Sequence, residues 1–318
     1  MNIAVFGWYH HRNAGDDRIQ QCLTRWLDGH TLAFLPAGRR PPVHLLRTCD
    51  AASLGGGGLI RDRGGMFRGM ARWVRQAGIP VALAGVSVEA ITPGLRRELR
   101  EFLDVCCFAW FRDRGSLEAV GDHPRAFVAP DATWLYPFEP AEGEGRGIAV
   151  SAGPGSLQPR DAWRAALTGI ERGGEPLHPW PLWFENGGDA RALRELIPDA
   201  VLPGEFDLDP ARRAAAVLAG RFHALLFALQ LGRPALAASD APKVRRFLED
   251  NGLQGWSVSG PGPLRWPAAG DEALRLRSRL HDEVWEKTAP ARERLLDAAS
   301  RLPPPGRRNR LRSLLDRI

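Results

Sequence analysis

The chain has 318 residues, room for two domains with a sizeable core each, so a small disulfide-stapled module is excluded. Hydrophobic residues make up 44% and charged residues 25%, which places the chain outside the disordered regime of low hydropathy and high net charge. Lys+Arg 43 against Asp+Glu 37 gives a net charge of +6, and only Lys243 and Lys287 among those cations are lysine. Such an arginine bias reads as coding composition, and no basic stripe studded with aromatics argues for a nucleic-acid partner.

The opening residues, Met1 to Gly7, carry no charged leader followed by an apolar segment, and no run of about 18 apolar residues occurs anywhere. The expectation is a cytoplasmic protein that does not span a membrane. Cys22, Cys49, Cys106 and Cys107 lack CxxC spacing, and the vicinal pair has apolar neighbours, as buried thiols in a reducing compartment do. No metal-ligand cluster is visible, so no metal is expected.

In chain order, Met1 to Gly7 reads as a buried parallel strand, and Gly15 to Leu27 as a helix with Ile19, Leu23, Trp26 and Leu27 on one face. A short strand then runs into Gly55 to Gly58. Next come a helix at Met66 to Ala77, a strand at Ile79 to Gly85, a helix at Pro93 to Leu103, a strand at Cys106 to Phe111 and a helix at Ser116 to Val120. Repeated strand-helix units at this spacing predict a parallel sheet covered on both faces. Pro, Gly and charge crowd residues 137 to 147, which predicts a linker between a domain over 1–140 and a second over 148–285.

The second domain opens with a strand at Ile148 to Ser151 and a helix at Asp161 to Glu171, followed by a tryptophan-bearing loop and a helix at Asp189 to Leu196. Arg221 to Leu231, Pro234 to Ala238 and Val244 to Asn251 then read as helix, strand and helix. A helical C-terminus over Asp271 to Leu302 is expected to break at Pro290, and 286–318 is read as a tail. The fold class predicted is α/β: two doubly wound, Rossmann-like domains facing a cleft, with a C-terminal helical segment. In such folds ligands bind beyond the carboxyl ends of the strands, so the strand-to-helix turns are where function is expected.

Four turns hold the chemistry. In Gly7 to Asp17, Gly15 permits close backbone approach, and Asn13 and Asp16 suit either a helix cap or substrate contact. Gly55 to Gly58 is not followed by GK[ST], so it is no P-loop, although its backbone N–H groups suit a phosphate. Arg112 leaves an apolar strand, placed for bidentate recognition of phosphate or carboxylate, with an ion pair to Asp113 or another neighbour as the alternative; Ser116 reads as a helix start. The richest stretch is Gly220-Arg221-Phe222-His223, closed by Gly232, with Lys243 opening the next helix. It supplies a fixed charge, a group that titrates near neutrality and a point charge, on the ends of consecutive strands.

These segments together resemble the polysaccharide pyruvyl transferase family over roughly residues 3–255: Asn13-Ala-Gly15-Asp16, Gly55 to Gly58, Arg112-Asp113 with Ser116-Leu117, Asp131 in Ala-Pro-Asp-Ala-Thr, Arg221-Phe-His223-Ala, Gly232-Arg-Pro234 and Pro242-Lys243. The chain departs from relatives at Gly85 to Ile91 and at Trp8 to His11. The resemblance implies a glycosyltransferase-B-like architecture and transfer of pyruvate from phosphoenolpyruvate onto two hydroxyls of a sugar in a cell-surface glycan. It implies catalytic roles for Arg112, His223 and Lys243, and substrate binding by Arg221, Asn13, Gly15, Asp16, Gly56, Gly57, Gly58 and Asp131.

The chemistry of that donor suits these residue types. Phosphoenolpyruvate carries a carboxylate and a phosphate, which Arg112 and Arg221 could share. His223 or Lys243 would protonate the methylene carbon, and Asp16 or Asp131 would be the base. No cofactor is implied beyond the donor substrate, and the acceptor is a saccharide, with a lipid-linked form included. The stretch 307–318 places Leu311, Leu314, Leu315 and Ile318 on one helical face among arginines, suited to an anionic membrane or to docking on the protein. Trp180 and Trp183 are read either as a sugar-stacking surface or as core. Two other functions fit the same reading: a nucleotide-sugar glycosyltransferase, and a glycan-binding relative without activity.

Overall fold

The computed structural model describes the chain except residues 38, 40, 42, 62–65, 90, 259, 262–263, 268–269 and 304–318. The segment 307–318, and with it the expected membrane contact, lies outside the described residues. The chain forms two compact units: Met1–His10 with Arg18–Leu135 and the chain from Glu283, and His11–Asp17 with Tyr136–Asp282.

The first unit contains β1 (Asn2–Gly7), α1 (Ala14–Trp26) from Arg18 onward, β2 (Thr31–Pro36), α2 (Val43–Thr48), β3 (Ala51–Ile60), α3 (Met66–Ala77), β4 (Val81–Val88), α4 (Pro93–Leu103), β5 (Cys106–Phe111), α5 (Arg114–Val120) and β6 (Ala126–Val128). Its six strands lie in the order β2-β1-β3-β4-β5-β6, and every neighbouring pair is parallel. Every residue of β4 is buried and β3 is buried almost throughout, so these strands are apolar runs and not alternating ones, as a sheet covered on both faces requires. Phe6, Phe67, Phe102 and Phe111 belong to one core cluster with Leu83 and Leu99.

The glycine run is a correction. The sequence places Gly55 to Gly58 in a turn, but they lie inside β3 and pair with β4, with a bulge between Gly57 and Ile60. Gly56 and Gly57 adopt φ of 81° and 83°, and a Cβ on Gly56 would come within 2.3 Å of Ile19 Cγ2. A Cβ on Gly55 would meet Leu23 Cδ1 at 2.9 Å. The missing side chains let α1 lie close on the strand, so the run serves helix-on-sheet packing.

The second unit contains β7 (Ile148–Ser151), α6 (Arg160–Arg172), β8 (Leu177–Pro179), α7 (Gly188–Leu196), α8 (Asp209–Arg213), β9 (Ala216–Ala219), α9 (Phe222–Gln230), β10 (Ala235–Ala237) and α10 (Pro242–Asn251). Its sheet is also wholly parallel, in the order β10-β9-β7-β8. The chain therefore leaves β7 in one direction to β8 and in the other to β9 and β10. The crevice beyond the carboxyl ends of β7 and β9 is the topological switch point, where open α/β sheets bind their ligands. Register pairs Ser151 with Ala219 and Ala219 with Ala237, so three strands end level there.

α11 (Gly270–Ser300) runs unbroken through Pro290, against the expected interruption. Proline removes one N–H from the ladder, but Val284, Thr288, Ala291 and Leu295 are fully buried along one stripe, and such packing outweighs a local cost of about 3 kcal/mol. Within the first unit, Trp285 Nε1 donates to Leu135 O at 2.9 Å and Arg292 Nε to Trp26 O at 2.6 Å, pinning the helix on both sides of the proline. Among the described residues no helix is long and apolar enough to cross a membrane.

Candidate functional site

At the switch point of the second sheet, Arg221 is the last non-helical residue before α9, and His223 sits in the helix's first turn. β9 is too short to carry the chain further, and Gly220 allows the turn: its N–H donates to Ser151 O at 2.7 Å, and a Cβ there would meet Ser156 Oγ at 2.4 Å. Ser156 Oγ in turn accepts from Gly153 N at 2.8 Å, closing the loop after β7. A Cβ on Gly153 would come 2.7 Å from Arg221 Nε, so the guanidinium lies directly over this glycine.

Arg221 is held by Asp189, on the first turn of α7. Its Nε donates to Asp189 Oδ1 at 2.8 Å and its Nη2 donates to the same oxygen. Asp189 is 0% exposed, and its Oδ2 accepts from the backbone N–H of Leu182 at 3.0 Å and of Trp183 at 3.2 Å. The guanidinium carbon of Arg221 lies 5.4 Å from the Trp183 ring centroid, a cation–π distance. The Arg221 side chain stays 27% exposed.

His223 packs its ring at 28° to Phe227, with centroids 5.8 Å apart, while the rest of α9 is buried. The ring also abuts Gly15, where a Cβ would come 1.8 Å from His223 Nδ1. Residues 11–17, the end of the β1–α1 connection and the first turn of α1, are part of the second unit. Ala14 N donates to Leu182 O at 2.8 Å, Phe184 N to Arg12 O at 3.0 Å, and Asn13 forms a bridge with Trp183. His11 Nδ1 lies 2.9 Å from Glu185 Oε2. Asn13 Oδ1 accepts from Gly15 N at 3.1 Å, so Asn13 caps α1, and Asp16 follows, buried, in its first turn.

Lys243 is the second residue of α10, beyond the end of β10, the strand next to β9. The structure thus gathers Asn13, Gly15, Asp16, Arg221, His223 and Lys243 into one unit, four of them (Asn13, Gly15, Arg221 and His223) around residues 182–189 and the β9–α9 turn.

The remaining predicted residues lie in the first unit. Arg112 follows β5 and is spent on neighbours: Nη1 donates to Asp131 Oδ2 and Nη2 to Ser87 Oγ, both at 2.9 Å, with the side chain 3% exposed. Asp131, 2% exposed, also accepts from Thr133 N at 3.0 Å. The pair is the ion-pair alternative of the sequence reading, with Asp131 and not Asp113 as partner. Asp113 instead caps α5, accepting from Ser116 N at 2.7 Å, and Ser116 Oγ accepts from Val88 N at 2.8 Å, so Ser116 is not the helix start. Gly56 and Gly57 pack beneath α1, and a Cβ on Gly58 would meet Glu89 Oε1 at 2.7 Å.

Sequence reasoning missed Asp189 and Arg160. Arg160, at the start of α6, donates to Gly153 O at 2.6 Å and faces Glu195 at 3.5 Å; burial lowers its pKa, opposed by Glu195 and Asp189. The available signal was the Gly153-Pro-Gly-Ser156 turn straight after a buried strand. Trp180 is fully buried against Phe206, with Nε1 donating to Asp207 O at 2.8 Å, so it is core and no sugar platform. Arg233, beside Gly232, donates to Gly143 O at 2.7 Å and to Arg212 O at 2.5 Å; burial lowers its pKa.

The fold is similar to UDP-GlcNAc 2-epimerase from Neisseria meningitidis bound to UDP-GlcNAc, at TM-score 0.53 and 9% identity, covering 89% of this chain and 94% of that one. It is similar to the enzyme of the same name from Methanocaldococcus jannaschii, at 0.52 and 9%, covering 88% and 100%. A third, UDP-N-acetylglucosamine 2-epimerase from Rickettsia bellii, gives 0.51 and 12%, covering 99% and 96%. At these identities the likeness concerns the fold, which is glycosyltransferase-B-like. No curated protein matches by sequence. The model for the polysaccharide pyruvyl transferases matches residues 8–240, a span holding every residue singled out above except Lys243, and the chain belongs to that family.

Proposed function

We propose that the chain transfers pyruvate from phosphoenolpyruvate to a saccharide acceptor of a cell-surface glycan, forming a ketal across two hydroxyls and releasing phosphate. Family membership supports a transferase with a saccharide acceptor. The observation that carries the finer reading is the Arg221–His223 pair at the switch point, with a fixed cation and an imidazole two residues apart and the cation still partly exposed. A guanidinium anchored on one edge suits the carboxylate or phosphate of the donor.

The reaction needs a proton delivered to the methylene carbon, which makes C2 electrophilic for a sugar hydroxyl. Phosphate then leaves and a second hydroxyl closes the ring; of the two hydroxyl protons released, one recharges the acid and the other departs on the phosphate. We assign the proton to His223, held by Phe227 and Gly15, with Lys243 as the further cation at the neighbouring strand end. Asn13, Gly15 and Asp16 are assigned to the substrate side of that imidazole. Arg112 and Asp131 are read as a buried pair that secures the end of β5, and the glycines of β3 as packing, so neither is assigned to the donor.

The test is incubation of the protein with phosphoenolpyruvate and glycan oligosaccharides, followed by mass spectrometry for the ketal and a phosphate assay. Ketal and phosphate in equal amounts support the proposal. Transfer from a UDP-sugar with no ketal overturns it, as does glycan binding without phosphate release.

A further inference from the structure

We propose that Asp189 is a positioning residue, which fixes the guanidinium of Arg221 by one edge and ties it to the backbone of Leu182 and Trp183. The role given to Arg221 rests on the donor reading above; the positioning itself does not. A free arginine side chain carries several rotatable bonds, and freezing them on binding costs affinity. Here that ordering is built into the fold. Both donors of the Nε–Nη2 edge converge on Asp189 Oδ1, which leaves Oδ2 for the two amides at 3.0 and 3.2 Å. Trp183 lies under the guanidinium and Gly153 leaves no side chain in its way. Nη1 makes no hydrogen bond among the described residues.

One carboxylate therefore serves two purposes. It neutralises and aligns the cation, and it holds the 182–183 segment, which bridges to Asn13 and accepts from Ala14 N and so carries Gly15 to the His223 ring. Asp189 N donates to Trp183 O at 2.9 Å, and the acid sits on the first turn of α7.

The inference is tested on the full chain by labelling arginines with phenylglyoxal and mapping the products by peptide mass. Asp189→Asn raises labelling at Arg221 by about tenfold, the loss of one charge-assisted contact, while Arg112, shielded at 3% exposure, is unchanged. Unchanged labelling at Arg221 overturns the proposal. Equal increases at Arg221 and Arg112 overturn it too, because they report general loosening. Should Asp189→Asn fail to fold, Arg221→Met gives the second arm. It lowers Tm by about 5 °C or more because a buried carboxylate has lost its cation, whereas no change in Tm contradicts the pairing. Neither arm contains a donor, so failure of the donor reading, seen as no phosphoenolpyruvate binding by the wild-type protein, is registered separately.

Discussion

Replacing Gly15 by alanine separates stability from chemistry at the imidazole. Gly15 lies in the first turn of α1 and its backbone is not left-handed, so alanine fits the chain and favours the helix by up to about 1 kcal/mol. The added Cβ would fall 1.8 Å from His223 Nδ1, and the ring must retreat until the contact exceeds 3.4 Å, a movement of about 1.6 Å. His223 is wedged between Gly15 and Phe227, so the retreat forces an off-rotamer ring at about 0.5–1.5 kcal/mol. These two terms nearly cancel, and Tm changes little. Turnover does not escape, because a displacement of about 1 Å at a reacting group costs on the order of a hundredfold. Gly15→Ala is therefore predicted to melt within a few degrees of wild type while phosphate release from phosphoenolpyruvate with acceptor falls by about two orders of magnitude. Gly169→Ala, inside α6, where an added Cβ meets nothing within 4 Å, is the control and retains activity. Full turnover by Gly15→Ala would refute the placement of His223 at the reacting atoms.

Three further outcomes follow. His223→Ala loses nearly all turnover and Lys243→Ala a substantial part; full activity in both variants removes the assignment of the acid. Arg112→Met leaves Asp131 buried without its cation and costs about 3–5 kcal/mol by chemical denaturation, and Arg112→Met combined with Asp131→Leu recovers most of that loss. A selective loss of donor affinity without destabilisation would instead return Arg112 to the substrate. Burial pushes the Cys106 thiol far above its ordinary range and raises Cys107 as well, against partial relief from Arg125, so thiolate-directed reagents at pH 8 modify both far more slowly than an unfolded control. Rapid modification of the native protein contradicts that burial.

How much was legible in the sequence depends on whether the signal was local. Buried parallel strands punctuated by Gly and Pro are local, and they located β7, β10 and the Arg-x-His turn at the helix start, while the four-residue β9 was too short a run to register. Asn13 as a cap was equally readable, since capping is decided within three residues. The glycines of β3 misled because their reason lies elsewhere: Ile19 and Leu23 of α1 occupy the space that side chains would fill. Pro290 misled for the complementary reason, as the cost of one lost N–H is local while the packing that offsets it is not. Arg112 finds Asp131 nineteen residues away, and Arg221 finds Asp189 thirty-two away, separations at which no spacing rule pairs charges. Asp189 looked like an ordinary first residue of a helix, and only its complete burial marks it out.

The most direct measurement is isothermal titration of phosphoenolpyruvate into the wild-type chain and into Arg221→Ala, with UDP-GlcNAc as the competing ligand. Saturable binding of phosphoenolpyruvate that is lost in Arg221→Ala, with no heat from the nucleotide sugar, is the predicted result. Binding of the nucleotide sugar alone, or phosphoenolpyruvate affinity indifferent to residue 221, would contradict the account.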